Sequence, residues 1–298
     1  MNTTPLFSIL IANYNNGQYL QEAIDSIFAQ TYSNWEVIIV DDKSTDNSHQ
    51  IYDRYAGDTR FHFYFNEENK GCGYTKKRCA ELANGEFCGF LDPDDELLPN
   101  ALEVSVIAMQ HHPEASLTMS RYYFCNENME ILKESRLLQL LPNESYLEHM
   151  DYSPEQFASF RKTSYLASGG INHLCFAGVD QDLYFHLEEQ GKIVVIDEFT
   201  YKYRLCNDSV SHGKNTFRAS YWNTIARYEA CVRRGIPSEK YAAEIIRKMD
   251  QELNYQLKEI DRIHASYAYR LGKVILKPVS WFKIMKKNIS ESLTNNPR

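Results

Sequence analysis

The chain has 298 residues and a mass of 34.7 kDa, with 43% hydrophobic and 24% charged residues. That length is enough to bury a substantial core, and the near-average composition excludes wholesale disorder, collagen and coiled coil. Asp and Glu outnumber Lys and Arg by 40 to 32, a formal charge of -8, so the chain lacks the basic surface of a general nucleic-acid binder but can still take a phosphate-bearing small molecule held by a metal.

In chain order, the first 125 residues alternate short apolar runs with helical patterns. Strands are predicted at Phe7 to Ala12, Trp35 to Val40, Phe61 to Phe65, Phe87 to Leu91 and Ala115 to Phe124. Helices fall between them at Tyr19 to Ala29, Asp46 to Tyr55, Tyr74 to Ala83 and Pro99 to His111. Repeated β-α-β units with nearly continuous apolar strands predict an α/β fold, a mostly parallel central sheet covered by helices on both faces. Further on, residues 137 to 150 are ambiguous, and residues 154 to 165 read as an edge strand or a short helix. Asp180 to Gln190 is a helix closed by Gly191, Lys192 to Ile196 is a strand, and 217 to 262 is helical with a break at Gly235-Ile236-Pro237. These patterns divide the chain into a body (1–215) that is most regular over 1–125 and less so over 126–215, a helical extension (216–261) and a basic amphipathic segment (262–298).

In such sheets ligands bind beyond the carboxyl ends of the strands. The residues found there are Asn13-Tyr14-Asn15, Asp41-Asp42, Asn66 to Gly73, and Asp92-Pro93-Asp94-Asp95, so five aspartates gather at one edge. Asp92, Asp94 and Asp95 repel one another unless a cation joins them. Loop carboxylates suit Mn2+ or Mg2+, which keep open positions for phosphate oxygens. A calcium hand is disfavoured, because its glycine is missing and Leu97-Leu98 stand where ligands are needed. Caps for the following helices are the plain alternative for these aspartates.

These residues resemble family 2 glycosyltransferases, inverting sugar transferases with the A-type nucleotide-binding fold. The resemblance rests on Ser8 to Asn15, Gln30-Thr31-Tyr32, Trp35 to Asp46, Asn69-Lys70-Gly71, Ala83 to Phe87, Phe90 to Asp95, Gly169-Gly170, Gly178 to Leu183 and Tyr203-Arg204. It implies that Ala12, Asn13, Tyr14 and Asp42, with Asp41 beside them, line the nucleotide pocket. Asp94 would touch the ribose and Asp95 the metal, although the family's D-x-D is read equally well as Asp92 and Asp94. Asp180 would be the catalytic base, although as an isolated residue at a helix start it reads first as an N-cap, and residues 1–215 would be the catalytic domain, with a nucleotide-binding half (1–125) and an acceptor half (126–215). His212 falls in a loop where some members carry a histidine near the metal; a plain surface histidine is the other reading.

The chain also departs from the family pattern. Val179 replaces the usual Glu before the base, Lys76-Lys77 stand for Arg-Asn, and Asn172-His173 stand for Asp-Glu. Lys76 keeps a positive charge for the nucleotide without the fork of Arg. The processive-synthase signature is absent, so one sugar per encounter is expected. The implied partners are a nucleotide-sugar donor, a UDP-sugar first, and a glycan or lipid-linked acceptor, as in bacterial lipopolysaccharide or capsule assembly. A homodimer is a further expectation. A nucleotide-sugar-binding module without catalysis and a sugar nucleotidyltransferase remain alternatives. The latter usually needs a basic Gly-rich loop after the first strand, where this chain has only Gly17.

The cysteines at 72, 79, 88, 125, 175, 206 and 231 form no C-x-x-C pair, which fits a reducing compartment. No apolar run reaches the roughly 18 residues of a membrane span, and the first residues lack the positive region of a signal peptide, so a cytoplasmic protein is expected. Between Arg262 and Ser290 the chain carries Arg262, Arg270, Lys273, Lys277, Lys283, Lys286 and Lys287 with no acid, interleaved with Trp281, Phe282 and aliphatics. That pattern suits peripheral contact with an anionic membrane, or else an ordinary helix packed on the body with its lysines solvated.

Overall fold

A computed structural model describes residues 4–138, 144–148, 156–175, 177–206 and 216–265. Residues up to Ala242 form one compact unit and those from Ala243 a second. In the first unit, β1 (Phe7–Asn13), α1 (Gly17–Phe28), β2 (Trp35–Asp41), α2 (Ser48–Tyr55), β3 (Phe61–Phe65), α3 (Cys72–Leu82) and β4 (Phe87–Phe90) alternate as their sequence periodicities require. Next come β5 (Glu96–Leu97), α4 (Ala101–His111), β6 (Ala115–Cys125), β7 (Ile131–Glu134), β8 (Ser159–Arg161) and α5 (Lys162–Ala167). The series ends with α6 (Val179–Glu188), β9 (Lys192–Arg204), α7 (Thr216–Arg234) and α8 (Glu239–Ala265), the last of which runs on into the second unit.

The sheet order is β3-β2-β1-β4-β8-β6-β9-β5, with β7 hydrogen-bonded to β6. Strands β3, β2, β1 and β4 are parallel, as are β6 and β9. Between these two blocks lies β8, antiparallel to both β4 and β6. The expectation of an edge strand or short helix at 154–165 is therefore corrected: residues 159–161 form a central strand, followed at once by α5. Three residues are too few to show periodicity, and burial of Ser159 and Phe160 on both sides comes from their neighbours alone. The strand expected at Lys192 to Ile196 extends to Arg204, carried past its polar stretch by pairing with β6.

Alternate strand residues feed two cores. Ile9, Ile11, Val37 and Ile39 pack with Leu20, Ile24 and Ile27 of α1, Ile51 of α2, and Leu102 and Val106 of α4. On the opposite face Leu10, Ile38 and Val40 share a core with Cys79 and Ala80 of α3, Leu183 and Leu187 of α6, and Ala226 and Ala230 of α7. Helices on both sides explain why β1 and β2 are apolar at nearly every position. The division expected between 215 and 216 adjoins residues outside the described set, and α7 beyond it is part of the compact unit. Among the described residues no helix is long and apolar enough to cross a membrane. The basic segment lies outside the described residues except at its start.

Candidate active site

The parallel register aligns Asn13 with Asp41, so β1 and β2 end side by side. Asn13 is fully buried, and its amide donates to Tyr52 Oη at 2.7 Å and Ser48 Oγ at 2.9 Å. Tyr52 in turn donates to Asp41 Oδ2 at 2.7 Å, and the Ser44 N–H donates to Asp41 Oδ1 at 2.7 Å. Burial and the neighbouring Asp41 carboxylate push the Tyr52 hydroxyl far above its ordinary range. Asn13 Nδ2 and the Asp41 carboxylate thus tie the β2–α2 turn together, while the buried Asn13 Oδ1 has no hydrogen-bond partner among the described residues. Ala12 is partly buried beside them, whereas Tyr14 is 48% exposed, a ring available to a ligand.

Asp42 has a different task. It accepts from Asn66 Nδ2 at 2.7 Å and the Lys70 N–H at 2.8 Å on Oδ1, and from the Gly71 N–H at 2.7 Å on Oδ2. One carboxylate thereby fastens the loop between β3 and α3. Gly71 closes that loop at φ +86°, a left-handed conformation that glycine adopts without strain. A carboxylate has about four acceptor positions, so Asp42 keeps capacity for one further donor.

The β4 aspartates divide. Asp95 is buried, with Oδ2 accepting from Tyr201 Oη at 2.8 Å and Oδ1 from the Arg204 N–H at 2.7 Å. Burial first, and then Asp94 and Asp92, hold its carboxyl well above the usual range. Arg204, 2% exposed, donates through Nε to the Asp94 carbonyl at 2.6 Å and through its terminal nitrogens to the Glu127 carbonyl and Glu22. This frame from β9 sets the acidic loop. Asp92 and Asp94 stay partly exposed. The Asp94 carboxyl is pushed up to about 6 by burial and by the Asp92 charge.

Asp180 sits in the first turn of α6, behind Gly178. Lys76 of α3, almost wholly buried, reaches Asp180 Oδ1 at 2.9 Å and Asp92 Oδ1 at 3.0 Å. Burial opposes its charge, but Asp180 and Asp92 outweigh that and hold the ammonium well above its ordinary range. One lysine therefore joins a carboxylate of the loop after β4 to the carboxylate of α6. The sequence offered Lys76 as a nucleotide contact; the fold reveals it as a link between two aspartates 88 positions apart in chain order. The same helix approaches the segment before α6 one turn earlier, where a Cβ on Gly73 would lie 2.6 Å from the Cys175 carbonyl. Val179, the departure before Asp180, is buried in the core, so an apolar residue suits the direction it faces.

The geometry brings together Asp42, Lys76, Asp92, Asp94, Asp95 and Asp180 at the carboxyl edge of the sheet. His212 lies outside the described residues. Among the described residues no three His, Cys, Asp or Glu side chains make a ready-formed metal cluster. As a donor set for a divalent ion, Asp92 and Asp94 fit, since they are close enough to repel and are open to solvent. Asp95 fits less well, because it is buried and each of its oxygens already accepts a hydrogen bond, from Tyr201 and from the Arg204 N–H. Tyr201 is a supporting residue the sequence reading missed; its only signal was alternation with Tyr203 along one strand.

The fold is similar to that of TarS 1–349 of S. aureus solved with UDP-GlcNAc, with a TM-score of 0.63 and 17% identity over 89% of this chain and 77% of that one. The sheet, with its acidic carboxyl edge, thus shares the α/β fold of that protein. Residues 8–171 match the family described as glycosyl transferase family 2. An uncharacterized glycosyltransferase of Methanocaldococcus jannaschii, MJ1057, is 30% identical over 211 residues, 68% of this chain and 72% of that protein. Chondroitin synthase of Escherichia coli is 29% identical over 223 residues, which cover 72% of this chain but 30% of that larger enzyme. The chain belongs to glycosyl transferase family 2 and is a glycosyltransferase.

Proposed function

We propose that the enzyme transfers one sugar per encounter from a UDP-sugar to a hydroxyl of a glycan or lipid-linked acceptor in bacterial surface-polysaccharide assembly, with inversion at the anomeric carbon. The observation that carries this reading is the Asp92–Lys76–Asp180 bridge, because it sets a carboxylate of the acceptor half against the donor aspartates. Similarity to chondroitin synthase supports the polysaccharide assignment, and similarity to a UDP-GlcNAc complex supports the nucleotide.

In this reading Asp42 and Tyr14 receive the base, and Asp94 faces the ribose and diphosphate. Asp180 takes the proton from the acceptor hydroxyl as its oxygen bonds to the anomeric carbon. The bond from that carbon to the diphosphate oxygen breaks, and the nucleoside diphosphate leaves with the electron pair. Asp92 and Asp94 would hold Mn2+ or Mg2+, which when bound neutralises charge on the diphosphate. Asp95 fixes the loop that carries them.

Asp180→Asn tests the assignment. Turnover should fall by about 10²- to 10⁴-fold, the usual contribution of a general base. The thermal stabilisation produced by UDP with Mn2+ should remain close to wild type. Near-normal turnover removes Asp180 from the role, and loss of the UDP response instead makes it a donor-binding group.

A further inference from the structure

From Ala243 onward the described chain is a single helix, the greater part of α8, and it leaves one apolar stripe in solvent. Ile246, Met249, Leu253, Leu257 and Ile260 recur at intervals of three and four residues, which sets them on one helix face. They are 47% to 68% exposed. The stripe is roughly 21 Å long at the rise of an α-helix. Scattered exposed apolar side chains are ordinary, but five in a row at core spacing mark an interaction surface.

The spacing is symmetric about Leu253. Met249 lies four residues before it and Leu257 four after; Ile246 lies seven before and Ile260 seven after. A second copy laid antiparallel across a two-fold axis at Leu253 sets Leu253 on Leu253, Met249 against Leu257 and Ile246 against Ile260. The exposed charges on one flank obey the same operation. Arg247 comes within two residues of the level of the partner's Asp261, and Asp250 within two of the partner's Lys258, an axial offset of roughly 3 Å. A parallel pair would instead carry these four residues to opposite sides of the seam in the two copies, so that neither pairing could form.

We propose that α8 is a homodimerisation element that pairs antiparallel with α8 of a second copy about Leu253, an isologous two-fold interface. A lipid surface suits this stripe less well, because Asp250, Glu252 and Asp261 accompany Arg247, Lys248 and Lys258 along it, whereas docking on an anionic bilayer favours a cationic border. The proposal is independent of the catalytic reading.

Sedimentation velocity on the full chain, from low to high micromolar concentration, should show the mass rising from 34.7 kDa towards twice that value. Leu253→Asp sets two carboxylates on the axis and should raise the dissociation constant by about tenfold or more. Its helical circular dichroism should be retained, since the side chain is exposed. Arg247→Asp should weaken the dimer, and Arg247→Asp with Asp261→Arg should restore it. A monomer at every concentration, or a dimer indifferent to Leu253→Asp, overturns the proposal. Failure of the charge swap to restore overturns the antiparallel arrangement. Co-sedimentation with phosphatidylcholine–phosphatidylglycerol vesicles that Leu253→Asp abolishes assigns the stripe to lipid and also overturns it.

Discussion

Lys76 carries the strongest charge arrangement in the site. Its ammonium is 5% exposed, while the Asp92 and Asp180 carboxylates it joins are 31% and 28% exposed. Removing the cation leaves two carboxylates facing each other without a partner. Lys76→Met should therefore cost about 3 kcal/mol of stability, the low end for breaking a buried pair because its anions keep some solvent. Turnover should fall more than donor affinity, since Asp180 loses the contact that orients it. Lys76→Arg should recover part of both losses. Denaturant midpoints and steady-state kinetics read these effects, and an unchanged midpoint for Lys76→Met would show the bridge to be energetically idle.

Asp94 gives the residue scale a pH dependence. Its carboxyl is raised from 3.8 to about 6 in the fold by burial and then by Asp92. The folded state therefore binds that proton more tightly than the unfolded chain. This contribution to stability is fully present below about pH 4 and is lost as pH rises through about 6. Asp94→Asn carries no such proton. Without divalent ions, its melting temperature relative to wild type should climb across that interval and then level off, while transfer activity is lost. A constant difference from acid to neutral pH would count against the raised carboxyl.

At the scale of elements, α6 is aimed by the residue before it. Gly178 has φ +66°, and a Cβ there would lie 2.3 Å from Asn223 Oδ1 of α7. Gly178→Ala meets both backbone strain and a clash, so about 1–3 kcal/mol of destabilisation is expected. On the proposed function, turnover should drop and UDP binding should persist, because the residues proposed to receive UDP stand on other elements. Thermal melts and UDP titration separate the two effects, and an unperturbed melt would mean that α7 yields easily. The helices and strands of the first 125 residues were legible because each has a clear period: α1 repeats Leu20, Ile24 and Ile27, and β1 and β2 are unbroken apolar runs. β8 was not legible, since three residues carry no period and its place depends on β4 and β6.

Across the whole molecule, the alternating α/β plan and the acidic edge of the sheet were legible in the sequence, because local periodicity and strand-end residues are written in chain order, while resemblance to a family singled out the candidate base. The sequence also held the symmetric stripe of α8, although exposure of that stripe had to be seen. Only the tertiary structure decided the antiparallel strand between the two parallel blocks. It alone separated the buried Asp95 and Asp41, which accept from Tyr201, Arg204, Tyr52 and Ser44, from Asp92 and Asp94, which stay partly exposed. Lys76 likewise became the bridge to Asp180 only in three dimensions. Identity and spacing along a chain say which groups exist, but hydrogen-bond partners come from distant segments, and those partners decide which carboxylates remain available for chemistry.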